Sequence, residues 1–312
     1  MSGTRPPLLP DVGDRGLATA DPDDVADLLG DAWSAAAEVA EQLPLDLPSR
    51  LTGRTVREVL VPLGSWEEHR RFVSLVADVR ADRVHEVDDA AGRSALVVAA
   101  HHDADNAEVA AALRRAGAAV VDFLRSPDAV TLGRETTESA VGPLPLTCVL
   151  AAATYDLAVG VLDVAPPGDV PPAVTDAAIG ALVDVTAGLA ARQGLEVTFL
   201  VRTPDTAWAT ATDAEGSWTT VRLGGSGLTD TGWPTVEGTA ADVLDAASGR
   251  RQPVPMLLGR RLRLRDVPGL LAVVPALDAV QSLPGGGALQ AAARAVARTG
   301  QAFSRFGVLS GR

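Results

Sequence analysis

The hydrophobic pattern changes period near Gly194, and that change limits what the chain can fold into. Before it, apolar residues recur three and four positions apart, the spacing of helices that bury one face. After it they alternate, as in half-buried strands. The first helix is predicted from the capping Asp21 and Pro22 to Gln42, with Val25, Leu28, Leu29, Trp33 and Ala36 or Ala37 on one face, until Pro44 and Pro48 end it. A second begins at Thr55 with Val56, Val59, Leu60 and Leu63, and its pattern resumes through Phe72, Val73, Leu75 and Val76. Pro62 lies inside this pattern and predicts a kink or a late start. A third covers residues 94–124 with an interruption near 103–106, a fourth covers 146–164, and an Ala-rich fifth covers 171–192.

Beyond Gly194, residues 195–202, 208–212 and 218–223 read as strands, the last two joined by a turn at 213–216. A short helix at 239–247, a strand at 261–267 and a helix at 268–280 follow. After Gly285, Gly286 and Gly287, residues Leu289, Ala293, Val296, Gly300, Phe303 and Gly307 form one stripe of an amphipathic helix. Arg294, Arg298, Gln301 and Arg305 form the other. The expected class is α+β: a tail at 1–20, a helical bundle at 21–168, a small α+β domain at 169–283, and a hinge with a C-terminal helix at 284–312.

The net charge of −13 argues against general nucleic-acid binding. It is unevenly spread. Residues 245–312 hold ten Arg against Asp245, Asp266 and Asp278, or +7, so the remainder carries −20. Such a split suits an anionic ligand, a partner, or docking of the protein's own two parts, and the last is the simpler reading. Cys148 is the single cysteine, so no disulfide framework exists. The first twenty residues lack a signal-peptide pattern, and the apolar runs 94–100 and 144–153 are too short to span a bilayer. A cytoplasmic protein without an integral membrane segment is expected.

Three stretches resemble one family. Thr55, Val56, Arg57, Glu58, Val59, Leu60, Val61, Pro62, Leu63 and Gly64 resemble the second-helix signature of the DinB-like superfamily, and more narrowly of the mycothiol-dependent maleylpyruvate isomerase family. There a metal-binding His stands where this chain has Pro62. The run from Gly142 to Leu146, followed by Tyr155, Asp156, Gly160 and Asp163, resembles the family's acid–His–Asp helix. Asp156 and Asp163 keep the acidic positions, and Gly160 replaces the His. Residues 236–244 with Gly249, Arg250 and Arg251 resemble the family's C-terminal domain, which is similar to sterol carrier protein 2. The resemblance implies a DinB-like four-helix bundle followed by an SCP2-like domain. It also implies a degenerate metal site at Pro62, Asp156 and Gly160, because a lone carboxylate holds a divalent cation poorly.

His101 and His102 stand beside Asp103 and Asp105, but adjacent helical residues point about 100° apart, so sharing one ion needs a loop. His69 and His85 have no partner at ligand spacing, and Cys148 in an apolar run reads as a buried thiol. Gly224–Gly227 lacks the following Lys of a phosphate loop. Arg250 and Arg251 are the candidate carboxylate-binding residues, or else they pair with the acidic bundle.

The expected function is therefore a non-catalytic relative of mycothiol-dependent metalloenzymes that binds a small apolar or anionic ligand, or a protein partner. Its alternatives are a metal-free thiol-dependent isomerase or transferase using Tyr155 and Asp156, and an assembly protein using its terminal helix to form homo-oligomers. No bound metal or cofactor is expected, and mycothiol is the one thiol the resemblance admits.

Overall fold

The computed structural model describes residues 8–83, 90–166, 168–224, 232–273 and 275. The expected helix at 284–312, His85, the glycine run at 225–227 and the end of the helix at 268–280 lie outside the described residues. The chain mixes helix and sheet, as an α+β class requires, and separates into two compact units. One holds residues 17–182, the other residues 1–16 with 183–312.

In the first unit, α1 (Pro22–Gln42) begins as predicted: the Asp21 carboxylate accepts from the Asp23 amide, and Pro22 opens the first turn. It buries Val25, Leu29, Trp33, Ala36 and Ala37. The expected kinked second helix is two helices. α2 (Val56–Leu60) carries a capping box in which Thr55 and Glu58 bond each other's amides, and it stops where Pro62 would clash one turn back. A 3-10 turn, Val61–Leu63, carries Pro62. α3 (Arg71–Arg80) then resumes the apolar pattern.

The predicted third helix is likewise divided, into α4 (Ala90–Ala100) and α5 (Asn106–Leu124). Asp105 and Glu108 form a second capping box where the break occurs. Asn106, the only Asn in the sequence, donates its amide to the Ala40 and Leu43 carbonyls at 2.6 and 2.7 Å. It thus satisfies acceptors that the end of α1 leaves open. α1 and α5 lie against each other so closely that a Cβ at Gly117 would stand 2.5 Å from the Trp33 Cβ.

The short α6 (Ala129–Leu132) and a two-strand ladder, β1 (Thr136–Thr137) with β2 (Leu144–Pro145), lead into α7 (Leu146–Val164). α1, α2 and α3 all contact α7, and α3 also contacts α5. Cys148 is fully buried in α7. α8 (Pro172–Arg192) crosses the division between the units.

α7 and α8 are long and apolar enough to cross a bilayer. Both pass by length and composition, because helix extends beyond the short runs read from sequence. Within the protein 72% and 78% of their apolar windows are buried, which is how core helices look.

The second unit is built on five strands: β3 (Thr198–Arg202), β4 (Ala207–Thr212), β5 (Trp218–Leu223), β6 (Thr235–Gly238) and β7 (Leu262–Arg265). Their spatial order is β5-β4-β3-β6-β7. Only the β3–β6 pair is parallel. α9 (Ala240–Ala247) begins at the cap Thr239, and α10 (Pro253–Leu258) and α11 (Val267–Leu271) flank β7. Leu200, Ala207, Ala209 and Leu223 form a core that Leu8, Val221 and Trp233 cover.

Residues 8–16 are part of this unit, which corrects the reading of 1–20 as a tail. Arg15 bridges to Trp218 in parallel, the Trp218 amide donates to the Asp14 carbonyl at 3.0 Å, and the Arg15 guanidinium lies over the Trp218 ring. The polar composition that read as a tail is that of a segment laid along an edge strand, where backbone bonds suffice to hold it.

Candidate functional site

The positions that resemble a metal site meet on α7. α2 and the 3-10 turn pack against this helix, so Pro62 and Gly160 belong to neighbouring elements. Gly160 is buried, and a Cβ added there would lie 2.6 Å from Leu63 Cδ1 and 3.7 Å from Val59 Cγ1. The volume beyond Gly160 is thus filled by aliphatic side chains. Asp156, one turn earlier, is exposed, and Tyr155 is half-buried.

Neither Pro62 nor Gly160 offers a donor atom. Among the described residues no three His, Cys, Asp or Glu side chains gather as a metal site. These residues do not fit a divalent cation.

Asp163 has a structural occupation. Its side chain is fully buried, and Arg50 approaches it with Nη2 at 3.1 Å and Nε at 3.3 Å from Oδ1. The Arg50 amide also donates to the Asp163 carbonyl at 2.7 Å. This fixes the loop before α2 to the end of α7. Arg50→Ala is expected to lower stability by about 1–3 kcal/mol, toward the low end because Arg50 remains partly exposed. Arg50→Lys should recover part of the loss, and chemical denaturation of both variants checks it.

His101 and His102 are also accounted for. His101 stacks on Trp66 with ring centroids 3.8 Å apart, and its Nε2 lies 2.5 Å from Glu68 Oε1. A backbone hydrogen bond and then the His101 ring hold the Glu68 carboxyl below its ordinary value. Arg115 lies over the Trp66 ring, 5.9 Å from its centroid, and donates to the Ser65 carbonyl. His102 Nδ1 lies 3.2 Å from the Ala99 carbonyl and does not join His101 on an ion.

In the α/β unit, Arg250 and Arg251 are both exposed. Arg251 is committed: its Nε lies 2.9 Å from Oδ2 of the buried Asp245, on the preceding helix α9. Its partner is local, so the expected pairing of Arg251 with the acidic bundle gives way to one inside its own unit.

A richer constellation lies across three strands. Arg202 on β3 stands opposite Glu237 on β6, which stands opposite Arg263 on β7. Side chains at opposed positions share a face of the sheet. Glu237 accepts from Arg202 at 3.2 Å and from Arg265 at 3.3 Å. Arg261 donates to the buried Asp242 of α9. Arg202, Arg260, Arg261 and Arg263, with Thr203, Pro204, Glu237 and Gly238, line a groove of about 330 Å³. Among the described residues, neither Arg260 nor Arg263 is ion-paired. Arg260 holds its turn at φ +56°, a conformation unusual for a residue with a Cβ. Sequence reasoning saw the basic run and the stretch 236–244 but not this site, because Thr235–Gly238 was not predicted as a strand.

No family model matches this chain, and no curated protein matches it. Among solved structures it is similar to a mycothiol-dependent maleylpyruvate isomerase, at 14% identity over 74% of this chain and 90% of that one, with a TM-score of 0.44. It is also similar to a histidine-to-alanine mutant of such an isomerase, at 15% identity over the same shares, with a TM-score of 0.41.

Proposed function

We infer that this chain is a non-catalytic, cytoplasmic relative of the mycothiol-dependent enzymes it resembles, and that it binds a small anion without turning it over. The observation that carries this reading is the filled space at Gly160, where Leu63 stands in the way of any metal-binding side chain. Without a Lewis acid, activation of a thiol falls to local acid–base groups. The candidates for that are weakly placed: Asp156 faces solvent and Tyr155 is half-buried. The exposed arginines of the α/β unit favour an anion over the apolar ligand that a sterol-carrier likeness implies.

The test is to purify the full chain without chelator, measure bound metal, and incubate it with mycothiol and maleylpyruvate while following loss of maleylpyruvate. The expected outcome is far less than one metal per chain and no consumption above the uncatalysed rate. Consumption that disappears in Asp156→Ala would replace this reading with the metal-free thiol isomerase.

A further inference from the structure

We propose that α10, with the arginines around it, is a docking surface for an anionic lipid bilayer. This goes beyond the small-anion reading above and does not depend on it.

Exposure is the first ground. α10 buries only Met256. Val254 and Leu258 stand four positions apart on one helix face and are 39% and 83% exposed. Pro255, beside Val254, is exposed as well. A lone exposed leucine is ordinary, but here a whole apolar helix is turned outward in the middle of a basic stretch.

This apolar face is fixed at both ends. Before it, the Arg251 amide donates to the Asp245 carbonyl at 3.1 Å, and the Arg251 guanidinium pairs with the buried Asp245 carboxylate. After it, the amides of Gly259, Arg260 and Arg261 donate to the Pro255, Leu257 and Met256 carbonyls at 2.9, 3.1 and 2.9 Å. Pro253 and Pro255 restrict the backbone further. Val254 and Leu258 are therefore presented outward by a closed turn, and docking does not have to order it.

Charge decides what the face meets. Residues 250–265 hold six Arg and no Asp or Glu, and all six Arg are exposed. Arg250 and Arg251 precede α10, Arg260 and Arg261 follow it, and Arg263 and Arg265 continue along β7. Counting the carboxylates of Asp242, Asp245 and Glu237 against them leaves three positive charges. α10 has six residues, about 9 Å of helix, so basic groups stand close to the aliphatic side chains at both ends. That is the composition of an interfacial element: Leu and Val enter the headgroup boundary while guanidinium groups remain at the lipid phosphates. Nucleic acid would engage the arginines, but it offers nothing to the aliphatic tip, and the net charge of −13 opposes it. The uneven charge also orients the molecule. The region 245–312, at +7, is drawn to an anionic surface, and the remainder, at −20, is repelled.

The experiment is co-sedimentation of the full chain with vesicles of equal parts phosphatidylglycerol and phosphatidylcholine, and with vesicles of phosphatidylcholine alone. Reversible binding to the mixed vesicles is expected, weakening as salt rises, with none to phosphatidylcholine. Leu258→Glu should weaken it by more than about tenfold, through lost insertion and added repulsion. Arg250→Gln and Arg260→Gly should each weaken it by about fivefold, the loss of one basic group at the surface. Leu258 is exposed, and glycine suits φ +56° at residue 260, so neither variant endangers the fold. Leu258→Trp should bind at least as well as the parent, and its added emission should shift to the blue on mixed vesicles only. The proposal is overturned by no binding to mixed vesicles at low salt, by equal binding to both kinds, or by a Leu258→Glu variant that binds as the parent does. Self-association that Leu258→Glu abolishes, without vesicle binding, gives the face to a second copy of the chain and overturns it too.

Discussion

Introducing two histidines by Pro62→His with Gly160→His is expected to give a protein that is less stable and still binds no metal. A histidine at 160 must displace Leu63, whose Cδ1 would stand 2.6 Å from its Cβ. Forcing side-chain atoms into a packed interior costs about 1–3 kcal/mol, and an imidazole is large for this place. In a chain of this size that lowers the melting temperature by roughly 2–4 °C per kcal/mol. Pro62→His alone should be milder, since residue 62 is half-buried in a 3-10 turn and the change returns a backbone donor. Adding Leu63→Ala to the pair should recover part of the lost stability. Thermal unfolding and zinc titration followed by native mass spectrometry check these outcomes together. Stoichiometric zinc in the double variant, with no fall in melting temperature, would show that the closed helix contact is not what keeps metal out.

Asp184→Ala is expected to be the most damaging single change in the α/β unit. The Asp184 carboxylate is fully buried, and its Oδ1 accepts from Trp218 Nε1 at 3.0 Å and from Thr220 Oγ1 at 2.7 Å. Alanine strands both donors in a dry interior. Each stranded group costs about 1–3 kcal/mol, so a combined loss of roughly 3 kcal/mol or more is expected. Asp184→Asn retains an acceptor oxygen and should lose less. Urea unfolding with near-ultraviolet circular dichroism reports the change, because Trp218 is buried in the same network. An unchanged midpoint for the alanine variant would remove the basis of this account.

Local signals carried much of the fold. α1 was legible from Asp21 and Pro22 at its start, and α7 from its apolar length between Pro145 and Pro166. β5 was legible from alternation after a glycine turn. The elements that escaped are those decided by distant neighbours. β6 is four residues long, and its identity as a strand comes from pairing with β3 and β7, which sequence spacing does not reveal. Asp184 is one of two buried acids, with Asp176, in an Ala-rich helix, a signal for a buried polar network that periodicity alone does not weigh. At residues 62 and 160 the absence of a donor side chain was readable, but the packing of Leu63 and Val59 beside Gly160 was not. Two helices had to meet before the role of Gly160 became visible. Arg250 and Arg251 stood out as a pair in the sequence, yet the groove draws on arginines from β3, β7 and the turn before β7.

The anchoring of residues 13–16 on β5 also bears on synthesis. Gly13 and Arg15 find their partners Ser217 and Gly216 only 204 and 201 positions later. On the ribosome this stretch therefore waits for its β5 partners while about two hundred residues emerge, some ten seconds or more at ordinary elongation rates. The helices α1 to α8 can form within that interval, whereas the seam along β5 cannot form before Trp218 has been made.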